Sequence, residues 1–313
     1  MSPRKISNAP QRSASRPGAL QALALTIVTS LVAASLSACS SILLAPRHPA
    51  ATAAVDRLLS GDDTLHAEAK VEIQSLGEGA MPELRERFQS GDGEQRLSII
   101  ELATTIGSPD KIAIDILRRG SQDESAAVRR SVAFRSAHLQ ELYPPLSPIL
   151  LPLMWDSNPE VQAAAINTLS VFPTELSMKD SDLESLMRSS SPLVVAAASS
   201  TALTRSAPEL REAAVEVLPN LVGEMMNPSP LIRAAVIIAI GKYGKTAEPA
   251  IPPLAGSLSY DPLPEIQLQA AIALLRIETP AARKIAIAAL QGFSKNQNPA
   301  IAKLAQQALQ GTK

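Results

Sequence analysis

The feature that most constrains this chain is a short signature that returns six times. Ala126-Ala127-Val128-Arg129, Pro159-Glu160-Val161-Gln162 and Pro192-Leu193-Val194-Val195 are three copies. Pro230-Leu231-Ile232-Arg233, Pro264-Glu265-Ile266-Gln267 and Pro299-Ala300-Ile301-Ala302 are three more. Each opens on a small residue or proline, sets a branched aliphatic third and, in four of the six, Arg or Gln fourth. The aliphatic anchors lie 33, 33, 38, 34 and 35 residues apart. A period of that length means tandem supersecondary units, each burying its apolar face only against its neighbours. Gln95-Arg96-Leu97 and the stretch from Glu68 to Leu76 fit two earlier copies.

Each copy begins as a helix should. Asn158-Pro159, Ser191-Pro192, Ser229-Pro230 and Asn298-Pro299 put a capping side chain before a proline whose missing N–H costs nothing in a first turn. Ile232, Ala235, Val236, Ala239 and Ile240 then follow helical spacing, as do Ile301, Leu304, Ala305, Ala308 and Leu309. A second helix is expected after a short break, as at Gly79 to Leu84 and Gly244 to Leu254. Aromatic residues make up only 3% of the 313, so thin layers of Leu, Ile, Val and Ala are favoured over one thick core. The expectation is an all-α solenoid of about seven to eight helix pairs over residues 54–313. In the last helix Lys303, Gln306 and Gln307 fall off the apolar face, as an end cap needs.

These residues resemble the HEAT-repeat family, in its short form first named from phycobilisome lyases. The clearest copy runs from Pro230 through Tyr243-Gly244 to Leu254. Val195 and Ala302 depart from the pattern where Arg is usual, and the copy at Leu142 to Met154 is unusually rich in proline. The resemblance implies that Arg129 and Arg233 bond to an acid or carbonyl of a neighbouring turn, in a ladder, with Gln162 and Gln267 bridging the same groups uncharged.

Ahead of the repeats, Arg4, Lys5, Arg12 and Arg16 precede an apolar stretch from Ala19 to Ala34. That is a signal-peptide layout, too short to span a bilayer as a helix. It ends in Leu36-Ser37-Ala38-Cys39, where the protein's only Cys stands. This run resembles the lipobox of bacterial lipoproteins, which implies cleavage before Cys39 and lipid on its sulfur. Residues 1–38 are then the signal peptide and 39–53 the lipidated Cys and a tether. Ser40 is not the Asp that retains such proteins at the inner membrane, so the periplasmic leaflet of an outer membrane is favoured if the host has one. Loss of 1–38 leaves a body of net charge −5, not drawn to anionic lipid, so the lipid is the attachment.

Chemistry is sparse. Twenty-nine basic and 30 acidic residues give no footprint of a nucleic-acid binder. One Cys and three scattered His leave no metal-ligand set and no cofactor is implied. Gly244-Lys245-Thr246 lacks the rest of a P-loop, Ser108-Pro109-Asp110-Lys111 reads as a helix start, and Gly77-Glu78-Gly79 lacks a third Gly. Asp62/Asp63 and Asp180/Asp182 read as caps. The expectation is therefore not an enzyme but a membrane-anchored scaffold or adaptor for another envelope protein. A lyase-like enzyme accessory and a carrier of an apolar ligand in the concave face are the alternatives. The candidate partner contacts are Arg118, Arg119 and Arg130 in a basic cluster, with Tyr143 and Trp155. A Pro-bent helix packed in the stack is the competing account of the Leu139 to Trp155 stretch.

Overall fold

Every helix that carries a signature copy falls into one layer, and every helix between two copies into another. The computed structural model describes residues 49–106, 111–139, 143–172 and 178–311, with the backbone alone at 143–145. Cys39, the segment before Pro49 and Ser108-Pro109-Asp110 lie outside the described residues. Among those described there are sixteen α-helices, short 3-10 turns and no strand. The even-numbered layer holds α2 (Asp63–Leu76), α4 (Gly93–Thr105), α6 (Ala126–Arg135) and α8 (Pro159–Leu169). It continues with α10 (Pro192–Ala202), α12 (Pro230–Lys242), α14 (Pro264–Ile277) and α16 (Pro299–Gln310). The odd-numbered layer begins with α1 (Pro49–Leu58), α3 (Met81–Ser90), α5 (Lys111–Gly120) and α7 (Tyr143–Leu150). Its remaining members are α9 (Asp180–Met187), α11 (Pro208–Gly223), α13 (Ile251–Tyr260) and α15 (Pro280–Phe293). Each even-numbered helix packs against its neighbours in that layer, while in the other layer α1, α3, α5 and α7 pack in succession and α9 packs on α11. The fold is the expected all-α helical-repeat stack, and its first helix starts at Pro49 rather than Ala54, so residues 49–53 belong to α1 and not to the tether.

The loops explain why the helices start where they do. Asp123, Asp156, Ser189, Asn227, Asp261 and Asn296 recur at the spacing of the anchors. Each accepts the backbone N–H two residues on, at 2.8–3.2 Å. That turn sets the chain for helix entry. Asn158 and Asn298 cap as expected, each accepting from the second helical N–H. Ser191 and Ser229 occupy the N-cap but form no capping bond through their hydroxyls. Two of the second helices are entered through 3-10 turns, Gly77–Ala80 before α3 and Gly244–Ala250 before α13. Gly244 has φ of 57°, a left-handed backbone that glycine adopts without strain.

The α10 helix is the exception in the stack. Leu193 through Ala202 are buried on every side, enclosed by α8 and α12 in their own layer and α9 and α11 in the other. Its Ala-Ala-Ala-Ser-Ser sequence makes that possible, because small side chains let four helices close around a fifth. The apolar core divides inside it. Val194, Ala197, Ala198 and Ala202 join the preceding repeats, whereas Val195 and Ala196 join those that follow. A comparable close approach occurs at Gly241, where a Cβ would stand 3.0 Å from the Cα of Ala273 on α14.

Candidate functional site

The even-numbered layer carries a hollow of about 600 Å³ that reaches from α4 to α12. Its wall is built of rows at the repeat spacing. Leu97, Arg130 and Ala163 make one row, and Glu101, Phe134 and Asn167 another. Between them run Ser98, Ser131 and Ala164, continued by Ala235 of α12. A further row joins Ala127, Glu160, Leu193 and Leu231. Equivalent positions face the same way because the units repeat, so a four-row strip of surface follows from the period alone. The middle row is all Ser and Ala, which makes it a trough. Phe134 stands 64% exposed beside it and Leu231 47% exposed at the far end.

The charges along this wall are answered within it. Arg130 pairs with Glu160 on the next helix. Glu101 lies 2.9 Å from Lys70 Nζ and 3.4 Å from Arg135 Nη2. Partial burial pushes the Glu101 carboxyl up, but the Lys70 hydrogen bond and the charge of Arg135 outweigh it and hold the group below the usual range. The hollow is thus mostly apolar, with Ser and Ala along its trough and paired charges at its rim.

Along the loops runs the ladder. Arg129 donates to both oxygens of Asp156 at 2.7 and 2.8 Å and to the carbonyls of Asp123 and Glu124. Arg233 repeats this with Asp261 at 2.7 and 3.1 Å and the Asn227 and Pro228 carbonyls. Arg96 Nε lies 2.8 Å from Asp123. Gln162 and Gln267 donate to the Asp156 and Asp261 carbonyls at 2.6 and 2.7 Å. The bond from Arg129 holds Asp156, and that from Arg233 holds Asp261, below the ordinary carboxylate range.

The residues singled out from sequence do not meet. Arg130 is on the wall of the hollow. Arg118 and Arg119 are exposed in the last turn of α5, in the other layer, with Arg119 Nε 3.0 Å from Asp115. Trp155 is 53% exposed at the end of the 3-10 turn after α7, so it is not the core residue that a packed Pro-bent helix would make it. The Tyr143 side chain and Cys39 lie outside the described residues. Phe134, Glu160 and Asn167 were missed, and their signal was positional: residues of little interest singly form columns once the repeats are aligned. Gly244-Lys245-Thr246 sits in a 3-10 turn, and Asp62 caps α2 by accepting from Thr64 N–H and Leu65 N–H. Among the described residues no group of three His, Cys, Asp or Glu could hold a metal ion, and no helix is long and apolar enough to cross a membrane.

No family model matches the chain, and no curated protein matches its sequence. Solved structures do. Human deoxyhypusine hydroxylase, in complex with glycerol, is similar with a TM-score of 0.36 and 19% identity, over 83% of this chain and 94% of that one. YibA of E. coli is similar with a TM-score of 0.46 and 16% identity, over 82% and 91%. Both likenesses are of fold, a HEAT-like helical repeat, and neither assigns an activity. They do correct one expectation. A chain similar in fold is a hydroxylase, so a repeat stack is no ground for excluding catalysis, and the reading of this protein as not an enzyme is withdrawn.

Proposed function

We propose that this chain is a lipid-anchored protein of the bacterial envelope whose repeat body docks another envelope protein in the hollow of its even-numbered layer. The observation that carries the docking is the wall itself: a mostly apolar hollow open to solvent, drawn from equivalent positions of consecutive repeats, with an exposed Phe134 and charges already paired. Such a strip suits a protein segment lying across several repeats better than a small molecule, which a pocket would enclose. The anchor rests on Leu36-Ser37-Ala38-Cys39 and the apolar run before it. Two or more acyl chains on Cys39 would give stable attachment where one would not.

Two measurements test the reading. Cys39→Ser should lose metabolic labelling with palmitate and move the protein to the soluble fraction. Wild type that takes no label, with the variant still in membranes, overturns the anchor. For the docking, a photo-crosslinking amino acid at Phe134 should give a light-dependent adduct with one protein, and the same group at the exposed Glu212 of α11 should not. No adduct at Phe134, or the same adducts at both positions, overturns it.

A further inference from the structure

Building on the docking reading, we infer that the occupant of the hollow is an amphipathic α-helix of the partner, about 20 residues long, laid across the even-numbered helices with an uncharged apolar stripe on the wall. Four features of the wall converge on this class of ligand. First, the row Ser98, Ser131, Ala164, Ala235 has no side chain long enough to interrupt a rod, so a cylinder can seat along it. Second, Arg130 pairs with Glu160, and Arg135 and Lys70 with Glu101, so a ligand carrying a run of one charge would have to break pairs already made. A stripe of neutral side chains leaves them intact.

Third, an extended peptide brings an unpaired N–H and C=O at each residue, and the wall offers only Ser98, Ser131 and Asn167 as uncharged hydrogen-bonding side chains. A helix satisfies its own backbone and asks nothing of the floor. An acyl chain also asks nothing, but in a hollow open to solvent it would leave much of its apolar surface in water, which a helix covers with its polar face. Fourth, the spacings agree. Neighbouring helices of a layer stand ~8–10 Å apart, so α4 to α12 spans ~30–40 Å. A helix rising ~1.5 Å per residue covers that with about 20–27 residues, and seven residues advance ~10.5 Å, a little more than one helix spacing. The stripe therefore recurs on a heptad, with Phe134 and Leu231 as the contacts that protrude to meet it.

The test selects from a displayed library of random 20-residue peptides on the full chain, with counter-selection against Ala164→Trp, which fills the trough. A thermal melt checks that the variant folds, and Phe134→Glu on an exposed position serves in its place if it does not. Survivors should carry apolar residues at helical spacing with little net charge, become helical on binding, and bind the variant at least ~10-fold more weakly than wild type. Survivors with alternating or proline-broken apolar patterns overturn the inference, as does a library that yields no survivor. So does binding of a 16-carbon fatty acid that Ala164→Trp abolishes, or a dimer of this chain that the same substitution dissolves. A crosslink at Phe134 together with extended survivors would sink the helix and leave the docking standing, whereas absence of the crosslink removes the docking itself.

Discussion

The ladder is where single residues matter most. Each loop aspartate does two jobs: its carboxylate accepts from the arginine of the preceding repeat, and its carbonyl accepts from the Arg or Gln of its own. Both partners of the Arg129–Asp156 pair are largely buried, and the geometry is bidentate. Asp156→Ala should therefore cost about 1.5–3 kcal/mol at pH 7, read from urea unfolding. Because the folded carboxyls of Asp156 and Asp261 are held below their unfolded value near 4, their contribution is fully present above that pH and is lost as pH falls through the lowered folded values. The gap between wild type and Asp156→Ala should accordingly shrink toward pH 2. A second residue works against the fold. Glu278 ends α14 in the left-handed region at φ 59°, where a Cβ is strained. Glu278→Gly should stabilise by about 1 kcal/mol, measured the same way. The donors of the ladder were legible because Arg129 and Arg233 recur at the repeat spacing. The acceptors were not, since Asp, Ser and Asn alternate in the loop column and share a turn rather than a residue type.

At the scale of the element, the six signature helices are read directly from sequence because the anchor and apolar spacing, and in five of them a proline, mark the same first turn. The helices between them are less legible. Some, such as α3 and α13, are entered by 3-10 turns, and around α7 the run is broken by Pro148 and Pro152, so their apolar residues do not keep one period. This is why Trp155 invited a core reading and is instead half exposed. Trp155→Ala should change stability by no more than about 1 kcal/mol. Val236→Asp, which buries a carboxylate in the fully enclosed face of α12, should cost about 3–5 kcal/mol. Equal melting temperatures for the two variants would contradict the burial of α12 described above. The enclosure of α10 had no signature at all. Its copy reads as an ordinary unit, and only the packing of α8, α9, α11 and α12 around it shows why Ala and Ser fill its length.

For the whole molecule, stacking of nearest neighbours predicts which units are dispensable. Removing Pro264 to Asn298 takes out α14 and α15 and brings the polar-faced α16 onto α12. The shortened chain should keep its far-UV helical signal per residue and a cooperative melt. Removing Pro192 to Ser229 takes out the enclosed α10 and should leave a chain that melts broadly or fails to fold. Similar melts for both deletions would show that no unit is privileged. The columns of the hollow were written in the sequence throughout, but the charge cluster around Arg118 drew attention to side chains that stand in different layers. Composition sees which residues are near in sequence, and the repeat decides which are near in space.

The ladder has a gap, and it falls at α10. Ser189 offers no carboxylate to Gln162, and Val195 no donor to Asn227, so the clasps run from Arg96 to Gln162, stop, and resume from Arg233 to Gln267. In mechanical terms, load carried by ion pairs and loop hydrogen bonds on either side must pass at α10 through the packing of that helix among its four neighbours.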